Sequence, residues 1–561
     1  MKKSSFFIGM AAAALLAACS TVTAPQDAAL FDHFTYVGQD NFYAEHPLTA
    51  DDEVYNPMLP GWYSDPSICS NGEGDYFMVT STFVYYPGVP VFHSRDLVNW
   101  EQIGHVLTTP GQTARFTGQQ VSGGIYAPDI KYNPANKTYY KITTNIATGY
   151  FFVKTQDPWG EWSEPIALTQ VSGIDPSFFF DDDGKAYIVN NDDAPDYKPE
   201  YDGHRTIRIH EFDVASDMVI GTERILIDRG SRPEENPRWI EGPHIYKING
   251  MDYLMAAEGG TGPNEKHSEV IFRSDNPLGG FVPWSGNPIL AQFDLAPDRK
   301  DPVTCTGHAD MVQDPSGAWW AVFLGCRPIN GDYENLGRET FMLPVEWTED
   351  GFPVILPQGK AVPMTVRHPG VPRGEKMLSG NFSVTDEFDS SALDMTWLTL
   401  RGPATELYSL SEFPGFLKLS CADALLSQRG VPAAVLRRLQ HHAFEASTRM
   451  YFCPEAGRQA GMTLFKDERH YLWFYVGAQD GKPFIALQNI GAGASGSEPV
   501  FTGKFKFIDL KIVSDGQKFA FWYALDGKSW TLFQESPARP LSTTAAGGFT
   551  GTTVGLYAGR L

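Results

Sequence analysis

Five times between Tyr55 and Val366 the chain makes a tight polar turn and then enters an aromatic-rich strand. The copies are Gly72-Glu73-Gly74-Asp75-Tyr76-Phe77, Ala135-Asn136-Lys137-Thr138-Tyr139-Tyr140, Asp182-Asp183-Gly184-Lys185-Ala186-Tyr187, Asn249-Gly250-Met251-Asp252-Tyr253 and Pro315-Ser316-Gly317-Ala318-Trp319-Trp320. A second pattern follows several of them, in Ser94-Arg95-Asp96-Leu97-Val98-Asn99-Trp100, in 155–162 and in 274–281. Helical periodicity is nearly absent. A five-fold repeat of hairpins with long connections is compatible with a sandwich of many hairpins, but it fits five radial sheets better, an all-β five-bladed β-propeller over residues 53–367. In a propeller the innermost strands converge on one axis. Residues far apart in sequence then meet at a single mouth.

A chain of 561 residues is too long for one core, and two or three domains are expected. Residues 368–383 are rich in Pro, Gly and basic side chains and read as a linker. Beyond them, over 384–561, short alternating strands such as Phe416-Leu417-Lys418-Leu419, 444–450, 471–476 and 518–523 predict a β-sandwich.

Lysine and arginine total 44 against 67 aspartates and glutamates, a net charge of −23. Such a chain repels polyphosphate, which argues against nucleic acid and anionic membrane surfaces as partners; a neutral glycan is compatible. Aromatic residues make up 13%, most of them expected in the core and some available as platforms for sugars. Met1-Lys2-Lys3 and the apolar run to Ala18 form an export signal rather than a span. Leu16-Ala17-Ala18-Cys19 is similar to a bacterial lipoprotein signal, which implies lipidation of Cys19, a signal peptide over 1–19, a tether over 20–52 and a lipid-anchored place in the bacterial envelope. Five cysteines follow Cys19 without a zinc-binding spacing. A hairpin turning at Asp314-Pro315-Ser316-Gly317 would set Cys305 and Cys326 opposite each other to within a residue. A disulfide and two buried free thiols are both open there.

Three carboxylates sit beside proline or glycine at the start of strand-like runs: Asp65 in Tyr63-Ser64-Asp65-Pro66-Ser67, Asp175 in Gly173-Ile174-Asp175-Pro176-Ser177 and Glu241 in Trp239-Ile240-Glu241-Gly242-Pro243-His244. Singly, each Asp-Pro is an ordinary turn. Together, in three different blades, they predict one site built from several chain segments. Paired carboxylates are the means of cleaving glycosidic bonds.

These strings, with Ser81-Thr82-Phe83, Tyr86-Pro87-Gly88-Val89, Gly123-Gly124-Ile125-Tyr126-Ala127-Pro128-Asp129, Ala257-Glu258-Gly259-Gly260-Thr261, Gly307-His308-Ala309 and Leu336-Gly337-Arg338-Glu339-Thr340, resemble glycoside hydrolase family 43, in order and across the whole propeller. Thr385-Asp386-Glu387-Phe388-Asp389 and Gly547-Gly548-Phe549-Thr550-Gly551 resemble the concanavalin-A-like jelly-roll sandwich of its β-xylosidase branch. The resemblance implies exo-acting β-xylosidase or α-L-arabinofuranosidase activity on plant glycans such as xylan, arabinoxylan and arabinan, with inversion of the anomeric carbon. It implies Asp65 as general base, Glu241 as general acid and Asp175 as the carboxylate that tunes the acid. It further implies a sugar contact for Arg338, apolar pocket walls at Phe83, Tyr126 and Phe549, and His308 on the axis, where a structural calcium ion is an even alternative to a satisfied core histidine; the chemistry itself needs no cofactor. Two departures stand out. Tyr126 replaces a usual tryptophan, and the chain stops at Leu561, where the family sandwich continues, so a missing strand or an open sheet edge is expected. The competing readings are a retaining β-fructosidase, weakened by Ser64 where an asparagine belongs, and a non-catalytic glycan-binding lipoprotein, weakened by the presence of all three acids.

Overall fold

The computed structural model describes residues 24–113, 115–263, 265–491 and 496–561. Cys19 and the expected signal segment lie outside them. No helix among the described residues is long and apolar enough to cross a membrane.

Each copy of the turn-aromatic repeat closes the first hairpin of one sheet, four-stranded in four cases and five-stranded in the fourth copy. The first strands are Ser67–Ser70, Ile125–Asn133, Ile174–Phe180, Glu241–Ile248 and Thr304–Gln313. They pair antiparallel with Tyr76–Val79, Thr138–Asn145, Ala186–Asp193, Met251–Glu258 and Trp319–Cys326. The second sequence pattern makes the link from third to fourth strand. In the first sheet it is an Asx turn, where Asp96 Oδ1 accepts the N–H groups of Val98 at 3.0 Å and Asn99 at 2.7 Å. The five first strands pack one against the next, and the fifth packs against the first. That closed ring is a five-bladed β-propeller. The repeated aromatics fill the wedges between blades: Tyr140, Phe152, Phe178 and Phe212 lie between the second and third, Tyr187 and Ile207 with Ile245 and Leu254 between the third and fourth. The ring is clasped where Glu53–Tyr55 pairs with Thr365–Arg367 and the Asn56 amide exchanges hydrogen bonds with Met342.

The sandwich has an eight-stranded and a six-stranded sheet. Two expectations are corrected here. The segment 20–52 is not simply a tether: Ala28–Gly38 is an interior strand of the eight-stranded sheet, paired with Ala443–Tyr451 on one side and with Leu417–Ser420 and Ser383–Asp386 on the other. Its apolar residues Ala29, Phe31, Phe34 and Tyr36 are essentially inaccessible and belong to the sandwich core. Burying that face outweighs the polar flanks that make the segment read as a spacer. Nor is the last strand an open edge, since Thr553–Arg560 lies between Ala433–Arg438 and Arg458–Asp467. The hairpin at Asp314 forms with Thr304 opposite Cys326, one residue from the expected register, and both thiols are free.

Propeller and sandwich share a core. Tyr85–Tyr86 of the first blade pairs with Thr399–Leu400. The buried Arg438 of the sandwich donates to the Trp62 carbonyl at 3.0 Å and stacks on Trp62 and Tyr63 at 4.1 and 4.2 Å. The segment that leads into Asp65 is therefore held from the sandwich side.

Candidate active site

At the axial end of each first strand stands a residue in the left-handed region: Asp65 (φ 53°), just before its strand, and Ala127 (34°), Asp175 (55°), Gly242 (57°) and His308 (55°) within theirs. In the last four blades that residue sits in a break of the strand register. Proline follows in four of the five, in Asp65-Pro66-Ser67, Ala127-Pro128-Asp129, Asp175-Pro176-Ser177 and Gly242-Pro243-His244, and His308-Ala309-Asp310 completes the set. The bulge turns one side chain toward the mouth and the residue two places on toward the interior of the axis. Asp tolerates this conformation better than most residues. Gly242 has no alternative, because a Cβ there would stand 2.9 Å from the His308 ring. Twelve residues of these segments, Asp65, Asp175, His244 and His308 among them, line one small axial cavity of about 10 Å³.

The three predicted acids are brought together at the mouth of this axis. Asp65 is 5% exposed and accepts from the Ser81 hydroxyl at 2.5 Å and from Arg338 Nη1 at 2.8 Å. Burial pushes its carboxyl up, but Arg338, His308 and Ser81 together more than reverse that and hold it below the usual aspartate range. Glu241 opens its strand at the bulge. Burial first, and the neighbouring Asp175 second, raise its carboxyl to about 8 against the lowering effect of His308 and Arg338. His308 Nε2 lies 3.5 Å from Asp175 Oδ2. Burial alone would neutralise its ring, yet the carboxylates of Asp175, Asp65 and Glu241 raise it to about 9. The site thus brings together a carboxylate favoured ionised, a carboxyl favoured protonated and a ring favoured charged near neutral pH. That is the combination general acid–base chemistry requires.

The walls come from both domains. The sandwich loop carrying Phe549 is tied to the propeller by the Phe549 N–H, which donates to Ser122 Oγ at 2.9 Å. A Cβ on Gly548, whose φ is 77°, would stand 2.6 Å from the same hydroxyl and push it out of this bond. Lys466 holds the Thr550 carbonyl from beneath. The Phe549 ring is 38% exposed, meets Tyr126 edge-on at 5.7 Å and carries the Arg338 guanidinium at 5.3 Å. Tyr126 donates its hydroxyl to the Ser122 carbonyl at 2.7 Å. Phe83 is 1% exposed and packs between Trp62 and Tyr126, so it backs the wall instead of facing the opening.

Two residues of the site escape the sequence reading. Ser81 fixes one oxygen of Asp65. His267 donates from Nδ1 to the Cys305 carbonyl at 2.8 Å, which leaves its buried, otherwise unpartnered Nε2 as an acceptor 3.9 Å from Glu241 Oε1. Burial keeps that ring neutral, its pKa pushed down to about 3. Neither Ser81 nor His267 lies in one of the axial triplets, so the repeat of left-handed residue, proline and polar residue did not point to them.

His308 alone is a poor calcium site. It brings one nitrogen, Nδ1, that is buried without a partner, and the ion prefers six to eight oxygens. Among the described residues the donor atoms that converge are those of Asp129, His244 and Asp310, one layer deeper on the axis. That layer already has its cation. Lys131 Nζ lies 2.7 Å from Asp310 and 3.3 Å from Asp129, while Ser67 bridges both carboxylates and Tyr246 donates to Asp310 at 2.6 Å.

Comparison with known proteins agrees with this geometry. Residues 54–353 match the model of glycosyl hydrolases family 43, and residues 385–561 match the β-xylosidase C-terminal concanavalin-A-like domain. The chain is 35% identical over 512 residues to a non-reducing end α-L-arabinofuranosidase of Bacteroides ovatus, with 90% of each chain covered. It is 36% identical to a xylosidase/arabinosidase of Butyrivibrio fibrisolvens over 90% of this chain and 95% of that one. A crystal structure of a GH43_12 protein retrieved from capybara gut metagenome superposes with a TM-score of 0.87 at 40% identity, covering 95% of this chain and all of the other. The chain belongs to glycosyl hydrolase family 43. It is a glycoside hydrolase, of a family whose chemistry requires no cofactor.

Proposed function

We propose that the protein removes single xylose or arabinofuranose units from the non-reducing ends or side branches of plant glycans, with inversion at the anomeric carbon. One observation carries the reading: at the same mouth Asp65 is held ionised while Glu241 is held protonated up to about pH 8. In this scheme Glu241 protonates the departing glycosidic oxygen, Asp65 takes a proton from the attacking water on the other face of the sugar, and Asp175 keeps the acid protonated and oriented. Arg338 fixes Asp65 and reaches a sugar hydroxyl, with Tyr126 and Phe549 as apolar walls. The named activities of the relatives, arabinofuranosidase and xylosidase/arabinosidase, support the pentose class. The loop bearing Phe549 narrows the mouth, which suits exo action. We assign Cys19 as the lipid-bearing residue, and with it an envelope location on the periplasmic or outer-membrane side.

The test is release of p-nitrophenol from the β-D-xyloside and the α-L-arabinofuranoside, with Glu241→Gln as control and the first-formed anomer followed by NMR. Turnover of at least one substrate with inverted product, lost in the variant, is expected. No release from either, or a retained anomer, would overturn the assignment. Labelling with radioactive palmitate that disappears in Cys19→Ser tests the anchor.

A further inference from the structure

The outer face of the eight-stranded sheet carries a groove that neither the chemistry nor the packing of the two domains uses. The strands Ile508–Asp515, Lys518–Ala524 and Thr531–Pro537 form one edge of that sheet. Side chains alternate along them. Leu510, Ile512, Phe519 and Phe521 point inward and are essentially inaccessible in the sandwich core, so the residues between them face out. The other sheet is the one that meets the propeller: its Phe465, Trp473 and Tyr557 share a cluster with Trp62 and Phe83. The outer face of the eight-stranded sheet is therefore turned away from the catalytic mouth.

Such a solvent face is expected to be polar. Here it presents two indoles. Trp522 stands opposite Lys511 in register, and Ala520 opposite Val513. Trp530, 37% exposed, comes from the turn before the last of the three strands, and together these residues line a groove of about 330 Å³. That volume falls within the range of about 300–1,000 Å³ for ligand sites. Lys511 Nζ lies 4.5 Å from the centre of the Trp530 ring, which sets both indoles at one end. The ion pair of Lys518 with Glu535, at 2.8 Å, closes the other end, and the small Val513 and Ala520 form a low floor between. Trp530 is also held in place. Asp526 accepts from the N–H groups of Lys528 and Ser529 at 2.9 and 2.7 Å and from the Ser529 hydroxyl at 2.6 Å, which fixes the turn just before the ring. A ring on an ordered turn has little freedom left to lose on binding.

The charges select the kind of ligand. Lys511 and Lys518 are balanced by Asp515 and Glu535, so the groove has no net charge to attract an ion, and an ionic ligand would have to displace a pair already formed. A neutral sugar chain needs no such exchange. Its hydroxyls both donate and accept, and a β-linked pyranose with equatorial hydroxyls offers a flat face of C–H bonds that suits an indole.

We propose that this groove is a second carbohydrate site, remote from the reacting sugar, which holds a neutral β-linked pyranose chain on Trp522 and Trp530. It keeps the enzyme on the polymer and so raises the effective concentration of chain ends at the mouth. The site needs no turnover, so it stands or falls separately from the hydrolytic reading.

Binding is read in the full chain carrying Glu241→Gln. Soluble arabinoxylan cast in a native gel should retard it, and adding Trp522→Ala and Trp530→Ala should weaken the apparent affinity about tenfold. Trp530→Ala alone, on an exposed turn, serves where the double variant does not fold, and should weaken retardation in the same direction. Polygalacturonate, an anionic polymer, should not retard any of them. Calorimetry with xylohexaose should count two sites in the parent and one in the double variant. Equal retardation with and without the tryptophans, retardation by polygalacturonate to the same degree, or a single site in the parent overturns the proposal. So does a dimer in sedimentation that the same substitutions make monomeric, because a second copy of the chain would then cover this face. With Glu241 intact, Trp530→Ala should leave kcat/KM on an aryl pentoside within about twofold of wild type, and a larger loss would overturn the separation from the mouth. Failure of wild type on every glycoside would count against the proposed function and leave the binding result to decide the groove.

Discussion

Asp65 and Glu241 differ by one methylene, yet they hold opposite protonation states because their neighbours differ. Asp65 has a guanidinium and a hydroxyl on its two oxygens; Glu241 has burial and a second carboxylate. With the base ionised from below the usual aspartate range and the acid protonated to about 8, kcat/KM should be flat through the weakly acidic region and fall on an alkaline limb near pH 8. Asp175→Asn removes an anion that raises Glu241, so its alkaline limb should move to lower pH, as read from the kcat/KM profile on an aryl pentoside. The same raised pKa affects folding. A carboxyl whose folded pKa lies above its unfolded value of 4.5 costs nothing below that pH and progressively more up to about 8. Glu241→Gln should therefore exceed wild type in thermal stability at pH 7.5, by about 1–3 kcal/mol, with the gap closing below pH 4.5 in calorimetric scans.

At the scale of elements, the strand Ala28–Gly38 shows how an N-terminal segment can serve a C-terminal domain. Leu30 pairs with Tyr451 and Val37 with Glu445, in the middle of a sheet whose other strands come from beyond residue 382. Phe31 is fully buried there, and Phe31→Ala should cost about 3–5 kcal/mol, measured as a lower urea midpoint. The axial bulges show the complementary behaviour. Five strands with different sequences adopt one backbone device, because only a left-handed residue at that point turns both a mouth-facing and an axis-facing side chain inward. The repeated hairpins were legible from turn residues and aromatics, since both act within a dozen residues. The N-terminal strand was not, because its partners lie about four hundred residues away and its own sequence suits a spacer equally well.

For the whole molecule, the sandwich is part of the architecture of the candidate site. It braces the Trp62–Tyr63 segment through Arg438 and places Phe549 over Arg338. Phe549→Ala should lower kcat/KM on aryl pentosides by about ten- to a hundredfold with an unaltered circular dichroism spectrum, the loss of one apolar wall in a site that works by orientation.

The sequence by itself pointed to Asp65, Asp175 and Glu241 as one cluster and to a first domain built on five hairpins. Those are properties of local turn geometry and side-chain type. Only the tertiary structure decided the opposite leanings of Asp65 and Glu241, the place of the strand Ala28–Gly38, and the cavity of about 520 Å³ that Arg338 and Phe549 line beside the mouth. Each depends on which groups are close in space: a pKa is set by burial and by charges a few ångströms away, and a cavity by the gap that two separately folded surfaces leave when they meet.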